Sequence, residues 1–285
     1  MGDAVAPAGS PAEVVGLIPA AGRASRIGPL PCSKEIYPVG FDRGGRPQAV
    51  VRFLLEALAA AGVTTAYVLL RSGKWDIPGH LAAADPSGVH LAYLVMEESP
   101  DVPFTLDRAY PFVRGKRVAL GFPDIYLGAA DPFSALIERL DRGRCDIVLG
   151  LFPCDRPQKA DMVALDHRGR VRDIVPKPLR TKLRLSWGVA AWNPVFTEFL
   201  HAAAARPQAS GPRGRELFIG DVVRDALRAG LPVEAVKVSG RPFRDIGTPE
   251  GLVQTARRLM PPPRRRPAGG AGRGPGRRPG GRASA

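Results

Sequence analysis

Short, continuous apolar runs recur along the chain at residues 14–18, 66–70, 91–95, 117–120 and 146–151. Runs of this length suit strands buried on both faces. Between them lie stretches with helical spacing. Residues 50–61 carry apolar side chains on a helical repeat and stop at Gly62, a fitting C-cap. Residues 132–140 read as a helix with Asp131 as N-cap and Pro132 at the first position. This alternation predicts an α/β fold, a mostly parallel, Rossmann-like sheet with helices on both faces.

The pattern changes after residue 160. Residues 161–165 and 171–175 flank Asp166, His167, Arg168 and Gly169, which read as a hairpin turn. A third strand is expected at 187–192, so a β-rich insertion is predicted here. Asn193 and Pro194 open a helix to about 205, and a Pro/Gly/Arg loop follows. A helix at 219–229, a strand at 233–238 and a last helix reaching about 259 complete the pattern. Thr248, Pro249 and Glu250 supply that last helix with a hydroxyl cap, a first-turn proline and an acid near its positive end. Three segments are expected: a flexible N-terminus at 1–12, a folded domain at 13–260 and a disordered Arg/Pro/Gly-rich tail at 261–285.

The formal net charge of +14 points to nucleic acid until it is located. Residues 261–285 contain seven arginines and no acid, half of that excess, in a segment too poor in apolar residues to form a core. The remainder is a modest bias that suits phosphorylated small molecules and argues against a nucleic-acid partner. Cys32, Cys145 and Cys154 show no CxxC spacing and the four histidines are scattered, which argues against a zinc site or a disulfide framework. No apolar run approaches the roughly 18 residues of a membrane span. The N-terminus lacks the basic and apolar regions of a secretory signal, so a cytoplasmic setting is expected.

The first run ends in a loop that can carry chemistry. Ala20, Ala21, Gly22 and Ser25 are small, so backbone N–H groups here can approach a polyphosphate closely. The spacing is neither that of a Walker A loop nor that of a dinucleotide-binding fingerprint. Two cations follow, Arg26 and Lys34. Phosphoryl and nucleotidyl transfer depend on positioning and on positive charge where negative charge develops, which a planar guanidinium and a mobile ammonium supply. On these residues alone, an ordinary loop with surface cations fits as well.

Residues 20–40, AAGRASRIGPLPCSKEIYPVG, resemble the signature of the sugar-phosphate nucleotidyltransferases, the glucose-1-phosphate thymidylyltransferase group in particular. That pattern is G-G-x-G-T-R, a proline, then a lysine shortly before another proline. Arg26 and Lys34 fall on its catalytic Arg and Lys, while Ala24 and Ser25 replace Gly-Thr. The resemblance continues in order. Asp124, after Leu120, Gly121, Phe122 and Pro123, matches an acid that binds magnesium. Lys177, between Pro176 and Pro178, matches the lysine that holds the sugar phosphate, and Gly188 falls in a Gly-containing strand beyond it. Asp245, ahead of Gly247, Thr248 and Pro249, matches the second magnesium ligand. Glu216 and Asp221 resemble an acidic region just before a family helix, with a supporting role.

The resemblance implies magnesium-dependent transfer of a nucleotidyl group from a nucleoside triphosphate, dTTP or UTP, to a sugar 1-phosphate. It also implies a homo-oligomer. The chain departs from the pattern on the substrate side. The base-reading Gln is missing from residues 96–107, where Pro103 and Phe104 replace a small turn. The glutamate of Glu-Lys-Pro is Pro176, and a sugar-lining Gly falls near Asp161. A pocket with different hydrogen-bond partners rejects the original ligand strongly. Two alternatives therefore stay open: a cytidylyltransferase for a non-sugar phosphate, and an inactive nucleotide-binding regulator.

Overall fold

The computed structural model describes residues 13–42, 44–84, 87–129, 131–205 and 216–260. The predicted N-terminal segment, the loop at 206–215 and the tail lie outside the described residues. Strand β1 (Val14–Ala20) leads to a 3-10 turn at Lys34–Ile36, then to β2 (Pro38–Phe41), β3 (Pro47–Ala49) and helix α1 (Val50–Ala60). Next come β4 (Thr65–Arg71), α2 (Asp76–Ala84), β5 (His90–Met96), α3 (Val102–Asp107) and α4 (Tyr110–Val113). β6 (Arg117–Gly121), β7 (Ile125–Tyr126), α5 (Ser134–Asp141) and β8 (Ile147–Pro153) follow. The chain continues through β9 (Asp161–Leu165), β10 (Val171–Pro176), β11 (Leu185–Trp192) and α6 (Pro194–Ala204). It ends with α7 (Ile219–Arg228), β12 (Val233–Lys237), β13 (Arg244–Asp245) and α8 (Pro249–Leu259).

The main sheet runs β12-β8-β11-β6-β1-β4-β5. Neighbours β1–β4, β1–β6, β4–β5 and β8–β12 are parallel, as the alternating pattern predicts. β11 runs antiparallel between β6 and β8, and the β9–β10 hairpin joins its outer end through the pair Ser186 and Met162. The β-rich part is thus built onto the main sheet. β11 enters it because every residue from Ser186 to Trp192 is buried, and such a strand needs cover on both faces.

β1 shows how the two faces are filled. Val15 and Leu17 point to one core, with Leu106, Phe196, Leu200 and Val222 from the helices there. Ile18 and Ala20 point to the other, with Leu54, Leu55, Leu58, Ile77 and Leu136. Burying each such side chain stabilises the fold by about 1.5–3 kcal/mol. Helix α1 lies close over the sheet because Gly121 has no side chain; a Cβ there would stand 2.2 Å from Leu54 Cδ1. A smaller cluster of Val39, Val50 and Ile246, with Phe53, Tyr126 and Leu259, ties β2, α1 and α8 to the segment around β13.

Two differences from the predicted elements have local causes. Helix α5 begins at Ser134, two residues after the predicted start, and Phe133 takes the N-cap position expected for Asp131, whose carboxylate instead accepts from the Ser134 N–H at 3.0 Å just ahead of the helix. Helix α2 fills part of the stretch between the apolar runs at 66–70 and 91–95, for which the sequence pattern gives no element. Pro78 falls in the first helical turn, where no backbone hydrogen bond is lost. Among the described residues no helix is long and apolar enough to cross a membrane.

Candidate active site

The loop after β1 lies at the C-terminal end of the parallel strands, where open α/β sheets bind ligands. Ala20 is buried as the last residue of β1, Ala21 is half-buried, and Gly22, Ser25 and Arg26 are exposed. Ala24 adopts φ 54°, a left-handed conformation that glycine takes without strain, which accounts for the Gly of the family pattern at this position. The Ile27 N–H closes the turn on the Ala24 carbonyl at 3.2 Å.

Lys34 sits on the 3-10 turn with its side chain buried, and its Nζ donates to Asp124 Oδ2 at 2.5 Å. Arg26 Nη2 lies 3.3 Å from Asp245 Oδ2. The two acids, distant in sequence, meet through the two-residue ribbon of β7 and β13. Asp245 pairs with Ile125, and the Ile246 N–H donates to the Asp124 carbonyl at 3.0 Å. Gly247 closes the group: its N–H donates to Asp245 Oδ1 at 2.7 Å. A Cβ on Gly247 would lie 3.3 Å from Arg26 Nη2 and 3.5 Å from Lys34 Nζ. Arg26, Lys34, Asp124 and Asp245 therefore form one cluster.

Burial pulls the Lys34 ammonium down, but Asp124, with Glu35 and Asp245, holds it above the usual lysine value. Burial pushes the Asp124 carboxyl up, but the charge and hydrogen bond of Lys34 hold it below the usual carboxylate range. Asp245 is pushed up by burial and by the negative charge of Asp124, beyond what Arg26, Gly247 and Lys34 restore. Two carboxylates crowded in this way fit a divalent cation, which would relieve the repulsion that raises Asp245. Among the described residues no group of three or more His, Cys, Asp or Glu gathers as a metal cage. A two-carboxylate site matches magnesium, which is commonly held by one or two carboxylates plus substrate phosphates and water.

Asp245 also lines an open cleft, together with Arg156, Lys159, Ser186, Phe243 and Arg244. Gly188 lies under it, since a Cβ there would meet the Phe243 ring at 2.9 Å. Asp161 and Lys177 do not line this cleft. The Asp161 carboxylate fills the space left by Gly220, where a Cβ would lie 2.2 Å from Oδ2. Lys177 has φ 43°, and its Nζ stands 3.3 Å from the centroid of the Phe218 ring. Asp221 accepts from the Phe218 N–H at 3.1 Å and from Arg224 at 2.9 Å, which supports the start of α7.

The family model described as nucleotidyl transferase matches residues 15–260. The chain belongs to the nucleotidyl transferase family. No curated protein sequence matches it. Among solved structures it is similar to a candidate glucose-1-phosphate thymidylyltransferase from Bacillus anthracis in complex with sucrose, at 20% identity and TM-score 0.74, over 86% of this chain and 95% of that one. A UDP-glucose pyrophosphorylase complexed with UDP-glucose matches at 15% identity and TM-score 0.70, over 86% and 98%. A UTP-bound UGPase from Acinetobacter baumannii matches at 15% identity and TM-score 0.68, over 86% and 93%. At these identities the structures establish the fold.

This nucleotidyl transferase also has site residues that the sequence did not signal. Lys74 Nζ donates to the Ala20 carbonyl and to Glu35 Oε1, both at 2.7 Å, and both side chains are buried. The pair joins the end of β1 to the turn that carries Lys34. Ser33 is held from the same side, by Asp76 at 2.6 Å through its N–H and at 2.8 Å through its hydroxyl. In the sequence Lys74 follows Ser72 and Gly73 and looks like any surface lysine in a turn. Only its contacts reveal the role.

Proposed function

We propose that this nucleotidyl transferase moves a nucleotidyl group from a nucleoside triphosphate to the phosphate oxygen of a sugar 1-phosphate or similar phosphomonoester. The observation that carries the reading is the convergence of Arg26, Lys34, Asp124 and Asp245 beside an open cleft at the C-terminal end of the sheet. The donor is dTTP or UTP, in keeping with the thymidylyltransferase, UDP-glucose and UTP named for the similar structures.

The acceptor phosphate oxygen attacks the α-phosphorus in line. A new P–O bond forms, the bond to the β-phosphate oxygen breaks, and pyrophosphate leaves with the electron pair. The backbone from Ala20 to Ser25 cradles the triphosphate, and Arg26 binds the leaving phosphates. Lys34, held in its charged form, stabilises negative charge at the α-phosphate in a partly dry site, where such charge counts most. Asp124 and Asp245 would hold magnesium, which would supply Lewis-acid charge to the transfer. Lys177, whose N–H donates to the carbonyl of Ala160 in the cleft wall, would orient the acceptor by swinging its ammonium away from the Phe218 ring, and Gly188 leaves room beneath the cleft, whereas Asp161 packs against Gly220 and stays outside it. The cleft beside Asp245 receives the body of the acceptor.

A pyrophosphate-release assay over a panel of triphosphates and phosphomonoesters with magnesium tests the reading. We expect turnover for at least one pair and a loss of at least about a hundredfold in Asp124→Asn. Triphosphate binding without pyrophosphate release for any acceptor would make the protein a regulator. Release with only CTP and a non-sugar phosphate would make it a cytidylyltransferase.

A further inference from the structure

The proposed site already provides for the acceptor phosphate, through Lys177 and through Asp124 and Asp245, which would hold magnesium. The cleft next to Asp245 nonetheless offers three more cations, Arg156, Lys159 and Arg244. Their counter-ions are rim residues. Arg156 meets Glu250 at 3.0 Å, Lys159 meets the same carboxylate at 3.7 Å, and Arg244 meets Asp155 at 3.1 Å. Glu250 and Asp155 are 61% and 54% exposed, so these pairs are screened by water and a bound anion can displace them. A second, independent observation lies in the wall. Ser186 is fully buried between Leu185 and Trp187, lines the cleft, and its hydroxyl has no hydrogen-bond partner. Buried hydroxyls are nearly always satisfied, so an orphan in the wall of a cleft marks a place where a bound polar group gains a hydrogen bond.

From this we infer that the acceptor carries a second anionic group besides its phosphate, bound by Arg156, Lys159 and Arg244 with Ser186 as a neutral donor. The inference rests on the cleft being the acceptor pocket. The sugar ring of a hexose 1-phosphate offers these cations only hydroxyls. A carboxylate or second phosphate forms charge-assisted, bidentate bonds with the arginines, which are about twice as strong. The ring of Phe243 gives the acceptor an apolar surface between its two charged ends.

The test compares glucose 1-phosphate, glucuronic acid 1-phosphate and glucose 1,6-bisphosphate, with pyrophosphate release and calorimetric binding measured on the full chain. At least one of the two acidic acceptors should exceed glucose 1-phosphate by about tenfold or more in kcat/KM and in affinity. The better one shows whether the second group is a carboxylate or a phosphate. Arg156→Gln and Lys159→Gln, at exposed positions, should remove most of that preference through KM and leave its salt dependence weaker. Equal or better use of glucose 1-phosphate overturns the inference while leaving nucleotidyl transfer in place. If no acceptor releases pyrophosphate, the catalytic reading fails, and calorimetry decides the inference separately: tighter binding of an acidic compound, lost in Arg156→Gln, sustains it, and equal binding overturns it.

Discussion

Lys74 and Glu35 are two charges taken out of water to hold a loop in place. Burial pulls the Lys74 ammonium below its usual value and pushes the Glu35 carboxyl above its usual range, while their mutual attraction opposes both shifts. Removing one partner of such a pair leaves a buried charge, at a cost of about 3–5 kcal/mol. Lys74→Met should therefore lose about that much stability in urea unfolding at pH 8. In the variant Glu35 has lost its cation, and its folded pKa rises further above the unfolded value. A group with a raised folded pKa adds stability below its unfolded pKa and loses it as pH rises through the folded one. The deficit should thus be smaller at pH 5 than at pH 8; equal deficits would mean that Glu35 is not the stranded charge. Residue-scale legibility divides along the same line. Arg26, Lys34, Asp124 and Asp245 belong to ordered motifs, and the structure brings these four together. Lys74 and Ser186 stand in no pattern, because their importance lies in what they face after folding.

Elements of five or more residues with a clear period were legible, since burial on a strand or a helix face writes itself into spacing. The parts that assemble the site were not. β7 and β13 have two residues each and no periodicity, yet they bring the acids together. Their pairing is set by α8, which presses on β13 through Gly251. A Cβ on Gly251 would lie 1.9 Å from the Asp245 carbonyl oxygen, a backbone atom that cannot rotate away. Gly251→Ala should shift Asp245 and lower kcat by about tenfold or more, with a stability loss of about 1–3 kcal/mol from overpacking. A folded variant with unchanged kcat would show that the contact does not fix the acid. The β9–β10 turn, in contrast, was readable from its residues. Asp166 accepts from the Arg168 and Arg170 N–H groups at 2.8 and 2.9 Å and from Arg170 Nε at 3.0 Å, and the Gly169 N–H donates to its carbonyl. The backbone bond from Arg170 leads the effects that lower the Asp166 carboxyl to about 2. Its contribution to the hairpin is present above the unfolded carboxylate value and is lost as pH falls through about 2. Carboxyl NMR titration should place the Asp166 inflection there, and a value near 4 would show that the turn bonds are not kept in solution.

At the scale of the whole molecule, the charge cluster exists only when distant parts of the chain are folded together. Arg26 and Lys34 come from the segment after β1, Asp124 from the turn between β6 and β7, and Asp245 from β13 ahead of the last helix. The unfolded chain has no such site, so a triphosphate with magnesium should bind the native state alone and stabilise it by mass action. At a concentration a hundredfold above Kd this is about 2.7 kcal/mol, which for a folded region of this size corresponds to about 5–10 °C in Tm. The shift should require triphosphate and magnesium together, because burial and the charge of Asp124 both disfavour the Asp245 carboxylate beyond what Arg26 and Lys34 offset, and a divalent cation would offset the rest. Asp124→Asn should unfold at nearly its own unliganded temperature whether or not both are present. The acceptor does not enter this measurement, so it isolates the donor half of the site from every choice of acceptor. A full shift without magnesium would show that Arg26 and Lys34 alone hold the triphosphate. No shift with any triphosphate, even with magnesium, would remove the donor site itself, and the convergence of the four charges would then be only a structural ion-pair network.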